Sequence, residues 1–244
     1  MANFVLVHGA WHGGWCWQRV RAALQAHGHQ VFTPTLTGLA DRAHLLSPAI
    51  MLDTHIQDVM GLIEAEELQD VVLAVHSYAG MVGTAVADRM GERLLHLVYV
   101  DAVLPKPGES WSSTQSSATQ QQSLDAARAS ASFSFPAPDP AVFGLQDADH
   151  AWVQRRQTPH PGNTYQVPLT FDPMRVGAVA RSYVSCTAPL LATIEPSRLR
   201  AADPNFWGGA WQGAQLHHMA TGHDPMISDP AGLVDILQGC AKAR

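Results

Sequence analysis

The sequence predicts an α/β fold: a mainly parallel sheet flanked by helices, with an inserted helical cap. Short aliphatic runs alternate with helix-like stretches about a dozen residues long, the pattern of βαβ units. Several of those runs end in turns rich in Gly, Ser or His, and the alternation lapses over residues 105–178 before it resumes.

FVLVH (4–8) reads as a short buried strand. The glycine-rich turn HGAWHGGW follows, then a helical pattern from about Trp17 to His27 that closes near Gly28. QVFTP (30–34) is a second strand, and TLTGLADRAHLLSP is a polar loop. Residues 53–67 are helical, with Asp53 and Thr54 as cap candidates. VVLAVH (71–76) is a strand, followed by a helix to about Met90 and the strand LLHLVYVD (94–101).

Residues 105–178 hold SSTQSSATQQQS, FPAPDPAVF and RRQTPHPGNTYQVP. So long a segment without structure does not suit a compact domain, so the expectation is a cap with helices near 121–130 and 147–157. RSYVSC (181–186) then restarts the rhythm, with a helix over 196–202, the strand QLHHM (215–219) and a closing helix over 230–243. The predicted organisation is a core of 1–104 and 179–244 with a cap of 105–178, and no internal repeat is visible.

Composition narrows the function. The chain has 244 residues, 46% hydrophobic and 15% charged, which suits one domain with a large core and a quiet surface. A net charge of -6 offers no basic patch for nucleic acid and no polybasic membrane anchor. The start, MANFVLVHGAWHGGW, lacks the positive n-region of a signal peptide and is too short in apolar residues to span a bilayer. Cys16, Cys186 and Cys240 are odd in number and widely spaced, which predicts reduced thiols in a cytoplasmic protein rather than a disulfide framework. No helical histidine pair with a matching carboxylate suggests a metal, and no cofactor motif appears.

The chemistry is expected where strands end, since open α/β sheets place ligands at that edge. His8-Gly9-Ala10, Ser77-Tyr78 and Thr221-Gly222-His223 each follow a predicted strand. A serine becomes a nucleophile when a neutral imidazole takes its proton, and a carboxylate must orient that imidazole. Ser77 stands between a strand and a helix, as in the Gly-x-Ser-x-Gly elbow, although Val75 and Ala79 replace both glycines. A serine there also suits a helix N-cap. His223 stands out among thirteen histidines because it lies in a loop after the last strand and follows a glycine.

HGAWHGGWCW, TLTGLADRAHLLSP, VHSYAG, YVDAVLP and ATGHDPM together resemble the α/β-hydrolase superfamily. More narrowly they resemble its branch of plant methyl-ester esterases, hydroxynitrile lyases and bacterial esterases, the carbendazim-hydrolysing esterases among them. The resemblance implies Ser77 as nucleophile, His223 as base, and an oxyanion hole from the N–H groups of Ala10 and Tyr78. The family usually places its acid after the strand before last, but SYVSCTAPLLATIEP holds no Asp, Pro189 falls near that spot, and Glu195 comes later. Asp101, at the end of YVD, is the favoured acid and Glu195 the alternative. Trp11, Trp111 and Trp152 are candidates for a flat apolar substrate pocket.

The lyases of the branch carry Thr at the place of Gly9, Glu at that of His76 and Lys at that of Asp224. These differences imply a serine hydrolase of small carboxylic esters or methyl carbamates. Hydroxynitrile cleavage and a non-catalytic receptor of the same fold are the alternatives.

Overall fold

The computed structural model describes residues 1–242. Six strands, β1 (Asn3–Val7), β2 (Gln30–Phe32), β3 (Val71–His76), β4 (Leu94–Val100), β7 (Arg181–Cys186) and β8 (Gln215–Met219), form one sheet in the order β2-β1-β3-β4-β7-β8. Every neighbouring pair in it is parallel. From β1 the chain goes to β2 on one side and to β3 on the other, so the strand order reverses at β1/β3. Such a switch point opens a crevice at the carboxyl ends of the strands.

Both faces of the sheet are covered, which is why the strands read as unbroken aliphatic runs. Val71, Leu73 and Val75 of β3 join one core with residues of α2 (Leu52–Ala65) and α3 (Ala79–Met90). Val72 and Ala74 point the other way, into a core with α1 (Gln18–Ala26) and α10 (Pro230–Cys240).

Between β4 and β7 lie α4 (Ser117–Ala129), β5 (Ser134–Phe135), α5 (Asp147–Gln154), β6 (His160–Pro161), α6 (Asn163–Gln166) and α7 (Pro173–Gly177). β5 and β6 pair antiparallel as a small separate sheet. The two ends of this segment clip together: Gly108 N–H donates to Leu169 O at 2.8 Å, and Leu169 N–H to Glu109 O at 2.8 Å. After β7 come α8 (Glu195–Ala201), then β8 and the short α9 (Pro225–Ser228).

The differences from expectation lie at element ends. The helix expected from Trp17 begins as a 3-10 turn over Gly14–Trp17. β2 stops at Phe32, short of the expected Pro34. In α2 the N-cap is Met51, and Thr54 serves from inside the first turn, its Oγ1 accepting the Met51 N–H at 3.1 Å. α4 starts at Ser117, earlier than expected, because the Ser116 side chain caps it by accepting from Thr119 N–H. The closing helix ends at Cys240, and position 243 of that expectation lies outside the described residues. All three cysteines are free and buried, and among the described residues no helix is long and apolar enough to cross a membrane.

Candidate active site

Ser77 occupies the turn between β3 and α3 with φ 53°, a left-handed conformation that costs a non-glycine residue about 1–3 kcal/mol. The surroundings hold it there. Its carbonyl accepts from Val103 N–H at 2.9 Å and Gly80 N–H at 3.1 Å, and its own N–H donates to Val100 O at 3.3 Å. The missing elbow glycine is compensated on the facing helix. A Cβ on Gly83 of α3 would sit 2.6 Å from Val75 Cγ1, so the helix gives up a side chain where the strand has gained one.

His223 follows β8, and its N–H donates to Phe143 O at 2.9 Å. A side chain on the preceding Gly222 would collide with that same carbonyl. The ring bridges two partners: Nε2 is 2.9 Å from Ser77 Oγ and Nδ1 is 2.7 Å from Asp101 Oδ2. Since a carboxylate only accepts, Nδ1 carries a proton and the neutral ring leaves Nε2 to receive the serine's.

Asp101, just past β4 at φ 42°, is fully buried. Arg198 of α8 grips it bidentately, Nε to Oδ1 at 2.9 Å and Nη2 to Oδ2 at 2.8 Å, and Cys186 N–H adds 3.2 Å to Oδ1. Burial alone raises this carboxyl's pKa, but the hydrogen bonds and charges of His223 and Arg198 outweigh it and hold it below the ordinary value. Glu195 lies elsewhere. Its side chain is half exposed and meets Arg198 Nη1 at 3.3 Å, so of the two candidate acids Asp101 is the one hydrogen-bonded to His223. Arg198 could not be read from the sequence, because an arginine far along the chain in a short helix carries no signature.

The loop after β1 approaches the Ser77 turn so closely that only glycine fits. A Cβ on Gly9 would lie 2.7 Å from Ser77 Cβ and 2.8 Å from His76 Nδ1. Ala10 and Tyr78 are both buried against this junction. As N-cap of α3, Tyr78 has a backbone N–H with no intrahelical partner, at the helix end that favours negative charge. Its hydroxyl donates to His55 Nδ1 at 3.0 Å, and His55 Nε2–H donates to Thr37 O at 2.8 Å. Burial pushes His55 down to about 4, which keeps it neutral and able to accept.

Above Ser77 and His223 opens a cavity of about 280 Å³. Trp11, Trp111, Phe135, Phe143 and Tyr165 form aromatic walls, Leu191 and Ile194 add aliphatic surface, and Gln115, Thr119 and Ser123 contribute polar groups. Trp152 does not line it, contrary to the sequence expectation. The Arg19–Asp149 ion pair at 2.6 Å ties α5 to α1, and there Trp152 packs edge-on to Trp15 at 5.0 Å between Arg19 and Arg156. The wall residues between 135 and 165 escaped sequence reading because no regular period organises them.

His76, His223 and Asp224 approach within 4.8 Å of one another. Ser77 and Asp101 engage both ring nitrogens of His223, which leaves that ring no nitrogen for a metal ion.

A model of the alpha/beta hydrolase family matches residues 4–236. The chain is 40% identical over 245 residues to a carbendazim hydrolyzing esterase of Nocardioides sp. (strain SG-4G), covering 97% of this chain and 98% of that one. It is 27% identical over 219 residues to Methylesterase 7 of Arabidopsis thaliana, covering 80% and 82%. Among solved structures, an extracellular alpha/beta-hydrolase from a Paenibacillus species superposes with a TM-score of 0.83 at 18% identity over 100% of both chains. A methylesterase from Arabidopsis gives 0.76 at 19% identity over 98% of both. The chain belongs to the alpha/beta hydrolase family, on its esterase branch.

Proposed function

We propose that this enzyme hydrolyses small carboxylic esters and aryl methyl carbamates through an acyl-enzyme on Ser77, a carbendazim-like carbamate being the specific substrate. The observation that carries the reading is the continuous chain Ser77 Oγ–His223–Asp101, at 2.9 and 2.7 Å, on the floor of an aromatic cavity. His223 Nε2 takes the Ser77 proton as Oγ attacks the carbonyl carbon. Asp101 stabilises the imidazolium that forms. The tetrahedral oxyanion rests on the Ala10 and Tyr78 N–H groups, an arrangement worth several kcal/mol where single donors have been removed. His223 then protonates the departing methanol, and water activated by the same ring releases the acid. From a carbamate this product is a carbamic acid, which loses carbon dioxide to leave the amine.

In this reading Trp11 and Trp111 hold the flat aromatic part of the substrate and residues 105–178 act as the cap over it. The 40% identity to a carbendazim hydrolyzing esterase supports the carbamate assignment. Lyase chemistry is disfavoured because the threonine it calls for at position 9 has no room beside Ser77 Cβ. Free, buried thiols are in keeping with a cytoplasmic location.

The test is methanol release from a panel of small methyl esters and aryl methyl carbamates. Wild-type protein turns over members of both classes, and Ser77→Ala lowers kcat by about four orders of magnitude or more. Undiminished turnover in that variant, or cyanide release from mandelonitrile in place of ester cleavage, overturns the reading.

A further inference from the structure

Behind the Ser77–His223 pair lies a second buried array that the proposed reaction does not use. Asp224, fully buried, sits with Oδ2 3.2 Å from His12 Nε2 and Oδ1 3.4 Å from His76 Nε2. The other nitrogen of His12, Nδ1, lies 2.7 Å from Ala10 O. Both nitrogens of His12 therefore face acceptors only, a carbonyl and a carboxylate. An imidazole satisfies two acceptors only when it carries two protons. Trp15 stacks on the ring face at 5.3 Å, a placement suited to a cation.

His12 is thus an imidazolium paired with a buried carboxylate. Burial alone lowers the His12 pKa, but the Asp224 charge outweighs it and raises it above the ordinary value, while Asp224 is held down to about 2. His76 differs: its Nε2–H donates to His223 O at 2.9 Å, while Asp224 Oδ1, 3.4 Å away, has no hydrogen-bond partner. Its Nδ1 has no partner, and burial pushes it down to about 3, so it is neutral with the proton on Nε2. Two further titratable groups beside the pair are uncharged. Burial lowers His8 to about 3 and lifts the Cys16 thiol well above its usual range.

The positions of the three residues in the chain give the array its meaning. His12 stands two residues after Ala10, His76 directly before Ser77, and Asp224 directly after His223. We propose that His12, Asp224 and His76 are positioning residues: the His12–Asp224 pair ties the oxyanion loop to the histidine loop, and the His76–His223 O hydrogen bond ties that loop to the nucleophile turn, holding all three in a single reactive register. This rests on the catalytic reading of Ser77, His223 and Ala10. Through Nδ1–H, His12 fixes the Ala10 carbonyl beside Trp11, whose φ of 62° marks a strained turn. Through His223 O, His76 fixes the backbone that carries the base.

The experiment measures kcat and KM per folded molecule, folding being followed by circular dichroism, for Asp224→Ala, His12→Ala and Asp224→Asn, with Ser77→Ala alongside. Misplacement of a reacting group by about 1 Å costs about a hundredfold in rate. Asp224→Ala and His12→Ala are therefore expected to lower kcat about a hundredfold while KM moves less than about threefold. Asparagine keeps the shape of the side chain and can donate to a neutral His12, so Asp224→Asn recovers at least about tenfold over the alanine variant. A folded alanine variant with wild-type kcat, or no recovery with asparagine, overturns the proposal. Turnover in Ser77→Ala sinks instead the catalytic reading beneath it. Ring-nitrogen NMR shifts of His12 in the wild-type protein at pH 7 give a measurement that needs no variant: two protons are expected, and a singly protonated ring overturns the proposal.

Discussion

At the scale of single residues, the acid separates what sequence carries from what only folding supplies. Ser77 and His223 were legible because each follows a strand and stands beside small residues in a pattern that fits one chemistry. Asp101 was favoured over Glu195 as a strand-end carboxylate, but nothing local in the sequence says which of the two faces the imidazole. The difference is made by Arg198, which clamps Asp101 at 2.9 and 2.8 Å and meets Glu195 only on its outer side at 3.3 Å. Asp101→Asn is expected to lower kcat by about 10⁴, because an amide imposes the wrong tautomer on His223. Glu195→Gln, at a half-exposed position paired with Arg198, is expected to stay within about threefold of wild type. Steady-state kinetics on the two variants decides between them, and the reverse pattern would make Glu195 the acid. Trp152 was misjudged for a related reason: a tryptophan's size buries it wherever a hollow exists, so its identity says nothing about which hollow.

At the scale of elements, long strands and helices were legible because burial on both faces or one face writes a period into the sequence. β5 and β6, two residues each, and the short α6, α7 and α9 are below the length at which any period can be read. They are set instead by tertiary contacts such as the Gly108–Leu169 clip. The Ser77 turn joins the two cases, since its departure from the glycine-flanked pattern was visible and its compensation was not. Val75 and Gly83 lie eight positions apart and meet only when α3 folds back over β3. Gly83→Ala is therefore expected to destabilise the protein by about 1–3 kcal/mol from overpacking, even though alanine is the better helix former. Val75→Ala combined with it removes the colliding methyls and restores most of the loss. Urea denaturation of the single and double variants measures this, and additive effects would show that strand and helix do not share the space.

At the scale of the whole molecule, a cluster of histidines is folded into the interior as neutral rings, and this dictates how the protein responds to acid. Burial lowers His8 and His76 to about 3 and His55 to about 4, against 6.5 in an open chain. Below pH 6.5 the unfolded chain therefore binds protons that the folded one refuses, and stability falls with pH until the folded values are reached. Each such histidine contributes about 1.4 kcal/mol per pH unit, so three of them remove on the order of 6 kcal/mol by pH 5. That rivals the whole stability of an ordinary domain, about 5–15 kcal/mol. Asp224 acts in the same direction but later: its contribution is complete above 3.8 and is lost only as pH falls towards about 2. His12 has the opposite sign, because its raised pKa gives stability that is fully present below 6.5 and is lost as pH rises through the folded value. Acid unfolding is therefore expected as one cooperative transition with its midpoint above pH 4, before Asp224 takes a proton. Tryptophan fluorescence and far-ultraviolet circular dichroism followed from pH 7 to pH 3 test this. A chain still folded at pH 4 would mean that the interior histidines are more basic than their burial dictates.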